Sequence, residues 1–111
     1  NKIIMFCCGT GITPFYSILT TLCRETKYKF RLYASFKSDK NPFLIKEIPT
    51  GVAKKKCFYS EDNTKLTKKR VHKILSNHNT SAVLICGTPE YSKMIQDSAS
   101  ESKHQGLIVK W

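Results

Sequence analysis

The stretch CCGTGITPFYSIL, Cys7 to Leu19, places two glycines two residues apart, then Thr-Pro, between an apolar run and a segment of helical periodicity. Upstream, KIIMFCC (Lys2 to Cys8) reads as a short buried strand that ends at Gly9. Downstream, Phe15, Ile18, Leu19 and Leu22 recur at the spacing of one helix face, with Thr13 expected as N-cap and Pro14 at the first helical position. A strand, a tight turn and a helix start in succession bring backbone N–H groups and the positive end of a helix dipole to one point, which suits a phosphate. The same residues would also serve as a plain corner, so the rest of the chain has to decide.

Working outward, the pattern alternates. FRLYASF (Phe30 to Phe36) is strand-like and closes on the polar turn KSDKN. PFLIKEI (Pro42 to Ile48) predicts a short helix ended by Pro49 and Gly51. KCFYS (Lys56 to Ser60) predicts a strand followed by the acidic turn Glu61-Asp62-Asn63. Thr67 opens a helix carrying Val71, Ile74 and Leu75. AVLIC (Ala82 to Cys86) is a continuous apolar run of the kind found in a central strand covered on both faces. It ends in Gly87-Thr88-Pro89, after which Tyr91, Met94, Ile95 and Ala99 mark a further helix, and GLIVKW (Gly106 to Trp111) closes the chain as a strand. Five strands alternating with four helices predict an α/β fold: a three-layer, doubly wound parallel five-stranded sheet in the order 3-2-1-4-5, with helices on both faces. In that order the first and fourth strands are neighbours, so both glycine turns, Gly9-Thr10-Gly11 and Gly87-Thr88-Pro89, land at one cleft at the carboxyl ends of the strands. That coincidence favours a ligand site over a corner.

Composition bounds the partners. The 111 residues make one domain, 41% hydrophobic, with no apolar run near the roughly 20 residues of a membrane span. No signal peptide is visible, and the start at Asn1, almost inside an apolar run, points to a piece of a longer protein. Five cysteines, an odd number set mostly in apolar stretches, predict reduced thiols and a cytoplasmic setting. Neither they nor His72, His78 and His104 show ligand spacing, so no metal is expected. The net charge of +11 comes from 19 basic against 8 acidic residues. It is carried mostly by lysine at element ends, with arginine only at 24, 31 and 70, which fits a solvated surface or an acidic protein partner better than nucleic acid.

GTGITP at 9–14 together with CGTPEYSKMI at 86–95 resembles the C-terminal pyridine-nucleotide-binding domain of the ferredoxin–NADP reductase superfamily, closest in look to NADH–cytochrome b5 reductase-like proteins. The resemblance spans the whole chain, residues 1–111, with departures at Cys8, Thr88, Glu90 and Tyr91. It implies an NADH-dependent flavoprotein reductase domain. Hydride would pass from NADH to FAD, and electrons then go to a haem or other one-electron acceptor. The FAD would be held mainly by an upstream barrel domain, without which this domain alone is expected to be inactive. Gly9, Thr10, Gly11, Thr13 and Pro14 would receive the pyrophosphate. Gly87, Thr88, Pro89 and Tyr91 would form the second wall, Cys86 would lie beside the nicotinamide, and Trp111 would cover the flavin ring.

NADPH-specific relatives tend to carry Ser-Arg after the third strand, where this chain has Ser60, Glu61 and Asp62. A carboxylate there accepts a hydrogen bond from a ribose 2′-hydroxyl and repels a 2′-phosphate, which leans toward NADH, although Lys65 and Lys68 lie close in sequence. An acidic electron-acceptor protein such as a cytochrome would suit the lysine excess, and the setting is cytoplasmic or the cytoplasmic face of a membrane. An NADPH-dependent diflavin-type reductase domain and a non-redox nucleotide-binding module are the alternatives. A basic nucleic-acid-binding domain fits least.

Overall fold

In the computed structural model, which describes residues 2–22, 28–38, 45–48, 51–61 and 64–110, strand β1 (Lys2–Cys8) is the middle of a parallel sheet. A 3-10 turn at Gly9–Gly11 leads from it into helix α1 (Ile12–Leu22), and β2 (Lys29–Phe36) and β3 (Ala53–Tyr59) follow. Helix α2 (Lys68–Asn77), β4 (Ala82–Cys86), α3 (Pro89–Glu101) and β5 (Ile108–Lys110) complete the order. The sheet runs β3-β2-β1-β4-β5 with every pair parallel, as the alternation predicts.

Strand alternation divides the core into two layers. Met5 and Cys7 point to one face and pack with Ile12, Phe15 and Leu19 of α1 and with Leu32 and Ala34 of β2. Ile4 and Phe6 point to the other and meet Val71 and Leu75 of α2, Val83 and Ile85 of β4, and Ile95 and Ala99 of α3. Phe6, Tyr33 and Phe58 stack across three strands, with ring centroids 5.3 and 6.2 Å apart. Each fully buried Ile, Leu or Phe contributes roughly 1.5–3 kcal/mol by leaving water, so these layers, rather than helix propensity, fix the sheet.

The helix starts follow local chemistry. The Thr67 side chain accepts from Arg70 N at 3.3 Å and Thr88 from Tyr91 N at 3.2 Å, with Pro89 opening α3. Thr13 does not cap α1. The helix begins at Ile12, two residues before the expected Pro14, because the glycine turn is itself a 3-10 turn, and the Thr13 hydroxyl donates to Thr10 O at 2.9 Å.

Three boundaries also move. The closing strand, expected from Gly106, begins at Ile108. β3 begins at Ala53 rather than at Lys56, since an edge strand tolerates the exposed Lys54 and Lys56 that broke the apolar pattern. The helix expected over Pro42–Ile48 is, in its described part, a 3-10 turn at Ile45–Glu47, whose Ile45 is buried; Pro42 and Pro49 lie outside the described residues. No helix among the described residues is long and apolar enough to cross a membrane.

Candidate functional site

The two glycine turns meet. β1 and β4 are adjacent and in register, with Cys7 opposite Cys86, so Gly9–Gly11 and Gly87 leave the sheet side by side. A β-carbon placed on Gly11 would sit 2.4 Å from the Cys86 carbonyl oxygen, and one on Gly87 would sit 2.5 Å from Cys8 Sγ and 2.9 Å from the Tyr91 ring. Gly9 has φ +55°, in the left-handed region that glycine adopts without cost. Glycine is therefore required at this crossing for three separate reasons: a backbone angle and two close approaches.

On the α2–α3 side of the turns lies a cleft of about 800 Å³ at the carboxyl ends of β1, β2 and β3. Its base is Cys8, Ser35 and Phe58, which are register neighbours on three strands. Tyr91 and Met94 of α3 form one wall, and Lys65 to Lys68 form the other. Ser60 N donates to Phe36 O at 3.0 Å and Glu61 N to Lys37 O at 2.9 Å, which ties the end of β3 to that of β2 and holds the rim.

Two hydroxyls at the base lack partners. Ser35 Oγ and Tyr91 OH are sealed from solvent, and neither makes a well-aligned hydrogen bond among the described residues although they are neighbours. Burial pushes the Tyr91 phenol far up, with Ser35 drawing it slightly down, so it is a neutral donor. Buried polar groups are normally paired, and these two neighbouring hydroxyls put polar groups beneath the cleft floor. Cleft size, neutral hydroxyls, apolar Phe58, Leu66 and Met94, and lysines at the rim together fit a molecule with a flat apolar part and an anionic part.

The sequence-predicted residues are distributed as follows. Gly9, Ser60 and Tyr91 line the cleft. Gly11, Cys86 and Gly87 form the crossing behind it. Thr10, Thr13, Thr88, Pro89 and Glu61 are exposed, and Pro14 is half-buried. Thr13 braces the turn through Thr10 O, and Thr88 caps α3. Asp62 and Trp111 lie outside the described residues.

Cys86 is half-buried, and its thiol is pushed up, first by desolvation and then by Cys8, so it is a neutral thiol rather than a nucleophile. Cys57, Ala34, Cys7 and Cys86 form one row across four strands, and the buried Cys7 is pushed up further still. Sequence reasoning missed Ser35, Lys37 and Ser38 after β2, and Phe58, Leu66 and Met94. Phe58 read as part of a strand and Met94 as part of a helix face, Leu66 carried no signal of its own, and no motif marks the end of β2.

The sequence profile of the oxidoreductase NAD-binding domain family matches residues 5–98. Among curated protein sequences none matches. Among solved structures, the C-terminal domain of a hydrogenase from Pyrococcus furiosus has a TM-score of 0.74 at 14% identity, over 100% of this chain and 91% of that one. Flavohemoglobin from Malassezia yamatoensis, solved with FAD and heme, has a TM-score of 0.72 at 17% identity, over 99% of this chain and 31% of its own. A mutant ferredoxin-NADP+ reductase from Plasmodium falciparum has a TM-score of 0.67 at 15% identity, over 100% of this chain and 52% of its own. The chain thus spans about a third of the second and half of the third, and the likeness is one of fold.

Proposed function

The chain belongs to the oxidoreductase NAD-binding domain family, and we propose that it is the pyridine-nucleotide-binding half of a flavin-dependent oxidoreductase, taking NADH and presenting its nicotinamide to FAD. The observation that carries this is the crossing of the two glycine turns at the mouth of a cleft with unpaired hydroxyls at its base. In this reading the Gly9–Gly11 turn receives the pyrophosphate on backbone N–H groups, with the dipole of α1 favouring its charge. Gly87 keeps the second wall low, Pro89 and Thr88 start α3 so that Tyr91 covers the cleft, and Cys86 gives the nicotinamide a neutral, weakly polar neighbour.

An FAD held mainly by an adjoining upstream domain, with Trp111 as the residue to cover its ring, would supply the acceptor for the hydride. The protein's own part is geometric: it holds the dinucleotide extended across the carboxyl ends of the strands. The lysine excess would meet an acidic electron-acceptor protein such as a cytochrome, and a cytoplasmic setting fits the four free thiols among the described residues.

Glu61 and Asp62 support NADH over NADPH, by offering a carboxylate to a ribose 2′-hydroxyl. One observation favours NADPH instead: Lys37, Lys65 and Lys68 line the cleft, whereas Glu61 does not. Calorimetric titration with NADH, NADPH and ADP-ribose tests both. Saturable binding of NADH and ADP-ribose that is lost in Gly11→Val is the expected result; a folded chain that binds none of the three at millimolar concentration overturns the reading.

A further inference from the structure

Lys68, the first residue of α2, lines the cleft, yet its ammonium lies 2.6 Å from Glu101 Oε1, on the last residue of α3. The other carboxylate oxygen, Oε2, is 3.2 Å from His72 Nε2, one turn further along α2. Both hydrogen bonds, from Lys68 first and His72 next, hold the Glu101 carboxyl below its ordinary range, so it is a full anion at neutral pH. Neither Lys37 nor Lys65 of the same cleft is held by a carboxylate among the described residues. With 19 basic residues to 8 acidic, the placing of a carboxylate on this particular lysine is selective.

We infer that Glu101 is a specificity-determining positioning residue: by engaging Lys68 it withholds that ammonium from a phosphate on the ribose 2′ position and so tilts the cleft toward the dinucleotide without one. This rests on the reading of the cleft as a dinucleotide site. A lysine is a flexible point charge, and an ammonium already bound to a carboxylate has to give up that partner before it can serve a phosphate. The pair is about half exposed on both sides, so its hold is weak and its effect on discrimination is a matter of a few-fold. Lys37 and Lys65 act equally in all variants and drop out of the comparison.

The test is titration of wild type, Glu101→Gln, Lys68→Met and the double variant with 2′,5′-ADP (adenosine 2′,5′-bisphosphate) and with 5′-AMP, which differ only in the 2′-phosphate. Glu101→Gln is expected to tighten 2′,5′-ADP by roughly threefold, the scale of an exposed pair, and to leave 5′-AMP unchanged. The same substitution in the Lys68→Met background is expected to change neither. A general loss of stability would move both ligands together and leave their ratio alone. An unchanged ratio in Glu101→Gln, with 5′-AMP binding normally, overturns the inference, as does an equal change in the Lys68→Met background. If neither nucleotide binds any of the four proteins, the dinucleotide reading fails and the inference falls with it.

Discussion

Gly11 sits so close to Cys86 that a single added carbon would lie 2.4 Å from the Cys86 carbonyl oxygen. One residue ends the first turn and the other ends β4, and 74 residues of chain between them fold back to make that contact. The site is therefore assembled by topology, and its integrity can be probed one glycine at a time.

Gly11→Ala must push a backbone carbonyl rather than a side chain. Overpacking of this kind costs about 1–3 kcal/mol, and the shift would fall on the two turns. Gly9→Ala meets open space but has to hold φ +55°, a cost of about 1–2 kcal/mol without any steric displacement. Urea unfolding and NADH titration of the pair should show both destabilised, with binding lost in Gly11→Ala and weakened less in Gly9→Ala. A Gly11→Ala protein as stable as wild type would rule out the close approach.

Gly87→Ala presents a different case, because its added carbon meets Cys8 Sγ at 2.5 Å and the Tyr91 ring at 2.9 Å. Trimming Cys8 to alanine removes the nearer obstacle. The double variant should thus be more stable than the sum of the two single losses, by about 0.5–1 kcal/mol in a double-mutant cycle. Strict additivity would mean that the Tyr91 ring, not the thiol, is what Gly87 accommodates.

The two threonine caps predict equal and modest effects. Thr67→Ala and Thr88→Ala each remove an acceptor from a helix start and should cost about 1 kcal/mol by denaturant midpoint. Thr88→Ala should also loosen Tyr91, whose backbone N–H it holds, and so weaken nucleotide binding more than Thr67→Ala does.

Stability should fall with acid in two separable steps. His78 is held below its ordinary value of about 6.5, first by desolvation and then by Arg31 and Lys2, so the unfolded chain takes up its proton first. Its contribution is complete above that ordinary value and declines as pH drops through it toward the folded value. Glu101, also depressed, contributes above the ordinary glutamate range and is lost as pH falls through its folded value. Melting temperatures followed from pH 8 to pH 3 should show the first step flattened in His78→Gln and the second in Glu101→Gln; unchanged curves would contradict both assignments.

The parts of the fold visible in the sequence are those where one signal dominates. Lys2–Cys8 is buried on both faces and Ala82–Cys86 is buried on one and half-buried on the other, and their continuous apolar runs give the observed bounds without correction. β3 is an edge strand with lysines on it, so apolarity alone started it three residues late. Thr13 looked like a cap because Thr-Pro usually opens a helix, but a 3-10 turn had already supplied the first hydrogen bonds. The glycine crossing was legible because glycines mark backbone constraints directly. Ser35 and Lys37 were not, since a serine or lysine at a strand end becomes a cleft residue only once β2 lies beside β1.

The lysines of β3 have one more consequence, for how copies of this chain behave toward one another. β3 is the outermost strand on its side of the sheet, and Lys54 and Lys56 are exposed along it, while Lys55 Nζ is drawn back to donate to Ile48 O at 2.6 Å. An incoming strand from a second molecule would bring a second row of ammonium groups against the first, and the repulsion discourages sheet-to-sheet growth. Part of the basicity of this protein is thus a guard against self-association, and neutralising those side chains would remove the guard while leaving the fold intact.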